Sequence, residues 1–177
     1  MGCELSKLQK KIKEDKQKQS KKLLFLGPDN AGKTSILLMM KENQFNDQTR
    51  VPTVGLNIET ISYQMYEFTL WDVGGSRQAA RLWKHYFDSI DGVLFCIDIS
   101  DPSKMKTCKE MLWRVSEDSA MQSVPFLIYL NKTDISDKMT LEFVSDTLLL
   151  DSLKMKRPVR TQLCSAKDGS GIWEGLS

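Results

Sequence analysis

The apolar positions of the chain alternate between short continuous runs and longer stretches with helical spacing. The short runs predict strands at residues 23–26, 57–62, 67–71, 93–98, 124–130 and 159–164. The longer stretches predict helices at residues 33–42, 103–115 and 140–150. A short polar segment separates the second strand from the third, which favours a hairpin. Strands that alternate with helices predict an α/β fold, in which helices cover both faces of a mainly parallel sheet.

Charge divides the chain into a basic arm and a larger body. The 177 residues are enough for one domain with a sizeable core. The net charge is +2, but residues 1–22 carry +5 and the remainder −3. We therefore predict an amino-terminal arm at residues 1–20 and one globular domain at residues 21–177. A basic arm suits an anionic membrane surface, and a solvated charged tail is the alternative.

The four cysteines indicate a reducing compartment. Cys3, Cys96, Cys108 and Cys164 are not spaced as a zinc knuckle or a C-x-x-C pair. No apolar run approaches the length of about 18 residues that a transmembrane helix needs, and the amino terminus lacks the apolar segment of a secretory signal. We predict a cytoplasmic protein that is monomeric on its own, and we expect no nucleic-acid partner.

Residues 27–34 form a phosphate-binding motif. Their sequence, Gly-Pro-Asp-Asn-Ala-Gly-Lys-Thr, fits G-x-x-x-x-G-K-[ST] between a predicted strand and a predicted helix. In such a loop, backbone N–H groups and the N-terminus of the helix face phosphate oxygens. Lys33 is expected to reach the β- and γ-phosphates, and the Thr34 hydroxyl to bind Mg²⁺. The predicted nucleotide contacts here are Asp29, Asn30, Ala31, Gly32, Lys33, Thr34 and Ser35.

A second element, residues 131–134, indicates which base is bound. The phosphate loop alone would fit a nucleotide kinase or an ATPase. Asn-Lys-Thr-Asp follows an apolar strand and resembles the N-K-x-D element of guanine-binding P-loop proteins. Asp134 can accept hydrogen bonds from guanine N1 and N2, whereas adenine would leave this carboxylate desolvated and unpaired. Asn131 is expected to brace the loop and the base, and the stem of Lys132 to pack against the purine.

Residues 165–167 form another base-reading element. Ser165, Ala166 and Lys167 follow the last predicted strand and resemble the S-A-K element, in which the Ala166 N–H would meet guanine O6. Both elements lie at strand ends and in the expected order after a phosphate loop. Together they predict GTP and GDP as ligands, and they argue against a kinase or an ATPase.

Two further segments resemble nucleotide-sensing switches. Asp72-Val73-Gly74-Gly75 follows a predicted strand and looks like the D-x-x-G element. Asp72 would touch Mg²⁺ through a water, and the Gly75 N–H would sense the γ-phosphate. Thr53 is the candidate for a second Mg²⁺ hydroxyl. Release of the Thr53 and Gly75 contacts on hydrolysis is how such proteins signal.

The combined motifs resemble Arf-like small GTPases over about residues 20–177. The similar segments are residues 27–34, 52–60, 71–75 and 82–87. The resemblance implies a P-loop NTPase fold with six strands and five helices, and a hairpin at residues 56–71 that slides along the sheet when GTP replaces GDP. It also implies effector proteins at the switches and the hairpin, an exchange factor and a GTPase-activating protein. Trp71 and Tyr86 match the family's aromatic effector surface, where Leu56 stands in place of the usual Phe.

One departure from the family pattern concerns catalysis. Ser76 follows Gly75 at the position where the family usually has a glutamine that orients the attacking water. A serine hydroxyl is too short to bridge that water and the γ-phosphate, and phosphoryl transfer in these proteins depends mainly on positioning. We therefore expect slow or partner-dependent GTP hydrolysis, with Ser76, Gly75 and Lys33 at the catalytic centre. Gln78 would substitute for the missing glutamine only if the loop shifts its register.

The first six residues fit the M-G-x-x-x-[ST] myristoylation pattern, with Gly2 as the acceptor. One myristoyl chain anchors a protein only marginally, so a second signal is needed. Palmitoylation of Cys3 or the lysine cluster would supply it. Leu5, Leu8 and Ile12 form a thin apolar stripe that could equally dock on the domain or on another protein. A plain charged tail is the alternative to lipidation.

These features predict a GTP/GDP switch of the Arf-like type that hydrolyses GTP, recruits effectors and associates peripherally with a membrane. Membrane trafficking and ciliary cargo handling are both themes of the family, so we consider the Golgi and the cilium as locations. The alternative is a nucleotide-bound structural or adaptor subunit with little GTP turnover. Ser76 and the short last helix, which begins at residue 172, favour the alternative. The intact phosphate loop, Thr53 and Asp72 favour a working switch.

Overall fold

The computed structural model describes residues 18–43, 45, 53, 55–135 and 138–177. Its strands are β1 (Gln19–Leu26), β2 (Leu56–Tyr63), β3 (Tyr66–Val73), β4 (Gly92–Asp98), β5 (Phe126–Asn131) and β6 (Val159–Leu163). Its α-helices are α1 (Lys33–Glu42), α2 (Arg77–Ala80), α3 (Met105–Ser116), α4 (Leu141–Leu148), α5 (Leu150–Lys154) and α6 (Ile172–Leu176). The described residues also form short 3₁₀ helices at Trp83–Tyr86, Pro102–Lys104 and Ser119–Met121.

The six strands form one sheet in the order β2-β3-β1-β4-β5-β6. β2 and β3 pair as an antiparallel hairpin, and all other neighbouring strands are parallel. Parallel neighbours need crossover connections, which the helices between the strands supply. The predicted α/β fold, with its hairpin and its mainly parallel sheet, is confirmed.

Helices cover both faces of the sheet because the central strands carry apolar side chains on both faces. On one face, Leu24, Leu26, Phe95, Ile97, Ile128 and Leu130 share a core with Leu112 of α3 and Leu148 of α4. On the other face, Phe25, Leu94, Cys96 and Tyr129 share a core with Ile36 and Leu37 of α1 and Ile172 of α6. Successive strand residues point to opposite faces. Strands buried on both faces therefore have continuous apolar sequences, as the pattern predicts.

Strand β1 begins four residues earlier than the apolar run predicts. Residues 19–22 are polar, so hydropathy carries no signal for them. They pair with β3 in a register that starts at Gln19 opposite Tyr66, and the Gln19 N–H donates to the Met65 carbonyl at 2.8 Å. Backbone pairing with β3 therefore extends the strand beyond its apolar part.

The single helix predicted at residues 140–150 is two helices. α4 ends at Leu148, Leu149 takes the left-handed conformation with φ 55° and ψ 46°, and α5 begins at Leu150. The indole N–H of Trp113 donates to the Leu148 carbonyl at 2.8 Å. That long-range bond engages a carbonyl at the point where the helix is interrupted. The prediction of one continuous helix was wrong because only the tertiary structure supplies this contact.

The helix predicted at residues 103–115 begins with a 3₁₀ turn and continues as α3. The Asp101 carboxylate accepts a hydrogen bond from the Ser103 N–H at 3.1 Å, so Asp101 caps this turn. Among the described residues, no helix has both the length and the apolarity to cross a bilayer.

The three cysteines in the described part of the chain are buried free thiols. Burial raises the pKa of Cys108 and of Cys164 to about 12, and it raises the pKa of Cys96 well above the usual value. Because the thiolate is the reactive form, these side chains act as small apolar groups in the core.

Candidate functional site

The loops that follow β1, β3, β5 and β6 meet at one edge of the sheet. These strands are parallel to their neighbours in the order β3-β1-β4-β5-β6, so their carboxyl ends lie together. Ligands of open α/β sheets bind at this edge. The four loops, Thr53 and the first turn of α1 contain the nucleotide and metal contacts that the sequence predicts. The structure therefore brings those residues together.

The phosphate loop, residues 27–34, surrounds the ammonium group of Lys33. Lys33 Nζ donates to the carbonyl oxygens of Gly27 at 3.0 Å and Pro28 at 2.9 Å. Burial lowers the pKa of Lys33, and the negative charge of Asp72 opposes that shift. Because an opposite charge favours a buried cation, this loop suits an anionic phosphate group.

Gly27 and Gly32 are required both by backbone conformation and by close packing. Their φ angles are 135° and 94°, in the region that favours glycine. A Cβ on Gly27 would lie 2.3 Å from the Cys96 carbonyl oxygen, and a Cβ on Gly32 would lie 2.2 Å from Nδ2 of Asn131. A larger residue at either position would therefore displace β4 or the base-reading loop.

Three oxygen-bearing side chains from separate segments meet beside the phosphate loop. Thr34 donates its hydroxyl hydrogen to Oδ2 of Asp72 at 2.6 Å. The Thr53 hydroxyl lies 2.8 Å from that of Thr34, and Thr53 is the donor because the one hydrogen of Thr34 is already used. Asp72 is fully buried, and burial raises the pKa of its carboxyl while the Thr34 hydrogen bond lowers it.

This cluster fits the ligand preferences of Mg²⁺. Mg²⁺ takes oxygen ligands, keeps several waters and uses one or two carboxylates together with phosphate oxygens. Oδ1 of Asp72 is buried without a hydrogen-bond partner. An unpaired buried carboxylate oxygen is unfavourable, and a cation or its bound water would relieve that cost. The described residues hold no cluster of three or more His, Cys, Asp or Glu, and a site built from two hydroxyls and one carboxylate needs none.

The loop after β3 is in backbone contact with the phosphate loop at Gly75. The Asp29 N–H donates to the Gly75 carbonyl at 3.1 Å. A Cβ on Gly75 would lie 2.4 Å from the Gly27 carbonyl oxygen, so a side chain does not fit there. The indole N–H of Trp83 donates to the Gly74 carbonyl at 2.9 Å, which holds the loop from the other side.

Asn131 joins the phosphate loop to the base-reading loops. Its Nδ2 donates to the Ala31 carbonyl at 2.8 Å, and its Oδ1 accepts from the Ala166 N–H at 3.0 Å. Asn131 is 1% exposed, and both partners would be costly to leave unpaired at such burial. The Ala166 N–H, which the resemblance directs to guanine O6, would have to share its hydrogen with Asn131.

The Asp134 carboxylate is held by the S-A-K segment. Its Oδ1 accepts from the Ser165 hydroxyl at 2.8 Å, and Lys167 Nζ lies 3.8 Å from its Oδ2. Lys132, with φ 73°, pairs with Oδ2 of Asp98 at 2.6 Å. The two base-reading segments and the end of β4 therefore form one connected group.

Comparison with known proteins decides the family of this chain. The sequence model of the ADP-ribosylation factor family matches residues 5–177. The chain belongs to the ADP-ribosylation factor family. A solved structure of the Arl6 (BBS3) small GTPase from Trypanosoma brucei, with the nucleotide analogue GppNp bound, is similar with a TM-score of 0.80 and 28% sequence identity. The alignment covers 89% of this chain and 94% of that chain.

Membership of the ADP-ribosylation factor family confirms the predicted resemblance and the small-GTPase form of the P-loop fold. The family binds GTP and GDP, typically with Mg²⁺, and membership implies GTP hydrolysis. Its members generally interact with effectors, exchange factors and GTPase-activating proteins. The fold therefore supports a nucleotide-dependent switch.

In this family member, the Ser76 hydroxyl caps a helix. Its Oγ accepts from the Ala79 N–H at 3.1 Å, at the N-cap of α2. Ser76 is exposed, and Gln78 lies inside α2 and is also exposed. The Ser76 hydroxyl thus binds the backbone of its own helix.

Trp71, Tyr86 and Leu56 form a half-buried surface on the hairpin side of the site. The rings of Trp71 and Tyr86 meet edge-on with centroids 6.1 Å apart. The ammonium group of Lys22 lies 4.0 Å from the Trp71 ring centroid, a cation–π contact. Ile58 pairs with Trp71 across the hairpin and is 47% exposed, which adds apolar area open to solvent.

Four of the predicted site residues are Gly2, Cys3, Ser35 and Asn30. Gly2 and Cys3, the lipidation candidates, lie outside the described residues. Ser35 is half-buried in the first turn of α1, and Asn30 is exposed with φ 60°. Their roles stay predictions.

Asp98 and Lys104 are charged residues near the site that the sequence analysis did not single out. Asp98 ends β4, is 5% exposed, and accepts from the Ser100 hydroxyl at 2.6 Å as well as pairing with Lys132. An acidic residue at the end of an apolar strand is a signal that could have found it. Lys104 donates to the Asp29 carbonyl at 2.9 Å. Because 75 positions separate these two residues, no local pattern predicts that contact.

An apolar cavity of about 550 Å³ opens at the opposite edge of the sheet, where the strands begin. Its walls include Leu23, Phe68, Leu94, Leu127 and Leu176. The phosphate loop, the loop after β3 and the base-reading loops follow the other ends of the strands, and Thr53 lies beside the phosphate loop. The cavity is therefore separate from the nucleotide site.

Proposed function

We propose that this chain is a GTP/GDP switch whose two nucleotide states present different surfaces to effector proteins. The observation that carries the proposal is the meeting of Thr53 and Gly75, from two separate segments, at the phosphate loop. In switches of this kind, contacts made through the γ-phosphate hold two segments together, and hydrolysis releases them. Here Thr53 would be held through Mg²⁺ and Gly75 through its N–H, so loss of the γ-phosphate would free both.

Guanine is the base that the surroundings of Asp134 support. Each carboxylate oxygen has two lone pairs, so the bond from Ser165 leaves acceptor capacity for guanine N1–H and N2–H. Adenine offers no such pair of donors, and the desolvated carboxylate would then be unpaired. The stem of Lys132 would pack against the purine while its ammonium stays paired with Asp98.

Thr34, Thr53 and Asp72 would hold Mg²⁺ beside the phosphate groups. When bound, Mg²⁺ supplies charge neutralisation at the β- and γ-phosphate oxygens. The two hydroxyls are suited to bind the ion directly, and Asp72 is suited to act through a water. Lys33 would add its own positive charge at the β- and γ-phosphates.

We propose that hydrolysis without a partner is slow. The Ser76 hydroxyl caps α2 and is too short to orient a water against the γ-phosphate. Positioning supplies most of the catalysis in this reaction. Gly75 and Lys33 would still stabilise charge on the phosphate, so a GTPase-activating protein that supplies the missing positioning group is the expected partner for turnover.

The proposed place of action is a membrane surface, with membrane or ciliary trafficking as the process. The proposal rests on the myristoylation pattern at Gly2, on Cys3 as a second acyl site, and on the net +5 of residues 1–22. Sedimentation of the myristoylated protein with vesicles tests it. Binding that is equally weak with anionic and with neutral vesicles would contradict it.

An adaptor subunit that keeps its nucleotide is a second candidate function. The specific observation that favours it is the engagement of the Ser76 hydroxyl in a helix cap, at the position where turnover needs a positioning group. Such a subunit would bind GTP or GDP with the same residues. It would differ from a switch in failing to cycle.

Nucleotide binding and conformational response together test the proposed function. Calorimetric titrations in Mg²⁺ should show tight binding of GDP and of a non-hydrolysable GTP analogue, with ATP weaker by a factor of at least about 10². Hydrogen exchange should then differ between the two guanine-nucleotide states around Thr53 and residues 74–87. Equal binding of ATP would contradict guanine recognition. Identical exchange in both states would contradict the switch and leave the adaptor.

A further inference from the structure

Lys104 reaches back from the start of α3 to the phosphate loop. Its Nζ donates to the Asp29 carbonyl at 2.9 Å and lies 3.5 Å from Oδ1 of the Asp29 carboxylate. The turn that presents it is held by side-chain caps, since Asp98 accepts from the Ser100 N–H and Asp101 from the Ser103 N–H. The ammonium group therefore extends from an ordered turn.

Asp29 places a negative charge inside a loop built to bind phosphate. Its carboxylate side chain is 51% exposed, and its N–H donates to Gly75 in the segment proposed to sense the third phosphate. A free carboxylate there would repel a polyphosphate, since like charges at short range raise the free energy of the bound state. The loop gains from a cation that neutralises this carboxylate and restrains its direction.

We propose that Lys104 is the positioning residue that neutralises Asp29 and thereby sets the preference of the site for GTP over GDP. The inference rests on the proposed nucleotide-binding function. The charge of Asp29 acts most strongly on the third phosphate because Asp29 is in contact with Gly75. Loss of the Lys104 charge should thus lower the affinity for GTP more than the affinity for GDP.

The electrostatics of Lys33 support this assignment. Burial is the main cause of the lowered pKa of Lys33, and among the charges around it Asp29 raises that pKa while Lys104 lowers it. Both charges of the pair therefore act on the group expected to meet the β- and γ-phosphates. Lys33 donates to the carbonyl oxygens of Gly27 and Pro28. The cation that pairs with the Asp29 carboxylate is Lys104.

A double-mutant cycle on the full-length protein tests the proposal. The variants are Lys104→Met, Lys104→Arg, Asp29→Asn and the double variant Lys104→Met with Asp29→Asn. For each, the affinities for GDP and for a non-hydrolysable GTP analogue are measured in Mg²⁺, at low and at high salt. The pair is partly exposed, with 29% of the Lys104 side chain and 51% of the Asp29 side chain accessible, and exposed ion pairs add little to stability. We therefore expect all four variants to fold.

Lys104→Met should lower the affinity for the GTP analogue by about five- to tenfold and the affinity for GDP by less than about twofold. Effects of this size are expected when one unit charge is removed near a partly screened phosphate. Lys104→Arg should keep the wild-type ratio, and the double variant should restore it because no carboxylate is left to neutralise. The difference between the two nucleotides should shrink at high salt.

Each of the following results would overturn the proposal. An equal loss of affinity for both nucleotides in Lys104→Met would mean that Lys104 only stabilises the conformation of the loop. A double variant as defective as Lys104→Met would show that Asp29 is not what Lys104 neutralises. A wild-type protein that binds neither guanine nucleotide would reject the proposed function itself, and the inference with it; binding by the wild type with an unchanged ratio in Lys104→Met would reject the inference alone.

Discussion

The base-reading half of the site and the switch half are built in different ways. In the base-reading half, Asn131 is 1% exposed and Ser165 is fully buried, and their side chains are bonded to neighbouring loops. In the switch half, residues 76–78 are exposed, α2 is four residues long, and Asp72 keeps one buried oxygen unpaired. Fully bonded, buried networks are rigid, whereas exposed segments with few buried contacts open at low cost. This difference fits the proposed function, in which one half recognises a constant base and the other half responds to the phosphate.

The largest effect is expected from Asp134→Asn in the base-reading half. The asparagine amide has one acceptor oxygen and one donor NH₂ group. Guanine N1–H and N2–H are both donors, so the NH₂ group would face a donor and one hydrogen bond would be lost. GDP affinity should fall by about 10³-fold, while xanthosine diphosphate, with an acceptor at position 2, should gain affinity. Titration calorimetry with both nucleotides measures the change.

Asp168→Asn is the matched control, because Asp168 is an exposed residue next to the S-A-K segment. Its Oδ1 accepts a hydrogen bond from the Ser170 N–H at 2.9 Å. It removes the same charge, and GDP affinity should change by less than about twofold. Similar losses in both variants would mean that charge near the base, and not the hydrogen-bond pattern of Asp134, determines binding.

Asn131→Ala should be the most destabilising change within the rigid half. It leaves the Ala31 carbonyl and the Ala166 N–H unpaired in a buried position. The free energy of unfolding should fall by about 2 to 4 kcal/mol, since each unpaired buried group costs about 1 to 3 kcal/mol. Urea denaturation of the nucleotide-free protein measures it.

Gln162→Ala serves as the control, because the Gln162 side chain donates to the neighbouring Leu163 carbonyl near the surface. The free energy of unfolding of Gln162→Ala should fall by no more than about 0.5 kcal/mol. If Asn131→Ala costs no more than this control, the three loops are not held together through Asn131.

In the switch half, Asp72→Asn should stabilise the nucleotide-free protein at pH 7 while weakening Mg²⁺-dependent nucleotide binding. Burial raises the pKa of Asp72, so its ionised form lowers the free energy of unfolding at neutral pH. The gain should be about 1 to 3 kcal/mol, the cost of an unpaired buried group. It should shrink as the pH falls from neutral through the raised pKa toward the ordinary value of 3.8. Thermal unfolding at several pH values follows it.

Asp91→Asn provides a control of opposite sign. The Lys22 backbone N–H lowers the pKa of Asp91, so this carboxylate stabilises the fold above its ordinary pKa, and that stabilisation is lost as the pH falls through the lowered pKa. Asp91→Asn should therefore destabilise at neutral pH. A pH profile of Asp72→Asn that resembles this control would refute the assignment of an unfavourable charge to Asp72.

The smallest effect concerns Ser76. Both Ser76→Gln and Ser76→Ala remove the cap of α2, which should cost about 0.5 to 2 kcal/mol in each variant. Only glutamine can orient a water, so only Ser76→Gln should raise the single-turnover rate of GTP hydrolysis, by at least about tenfold. Equal rates for the wild type and both variants would show that Ser76 does not limit turnover.

Contiguous motifs were predictable from the sequence because their chemistry depends on a few neighbouring residues. The phosphate loop needs glycines at Gly27 and Gly32 for its backbone, followed by Lys33 at the start of a helix, and all of these lie within eight positions. The strands were predictable for a similar reason, since burial on both faces requires uninterrupted apolar runs. Hydropathy failed for the polar start of β1 and for the break between α4 and α5, where pairing with β3 and the bond from Trp113 decide the boundaries.

The sequence by itself determined the α/β fold and the phosphate loop, and it predicted guanine as the base for the loops after β5 and β6. The tertiary structure alone decided the contacts across the chain. Asn131 bonds Ala31 across 100 positions, and Lys104 pairs with Asp29 across 75. It also decided that the Ser76 hydroxyl is engaged as a helix cap. The physical reason is that a local pattern sets backbone conformation and burial, whereas the partner of a polar side chain depends on which segments the sheet order brings together.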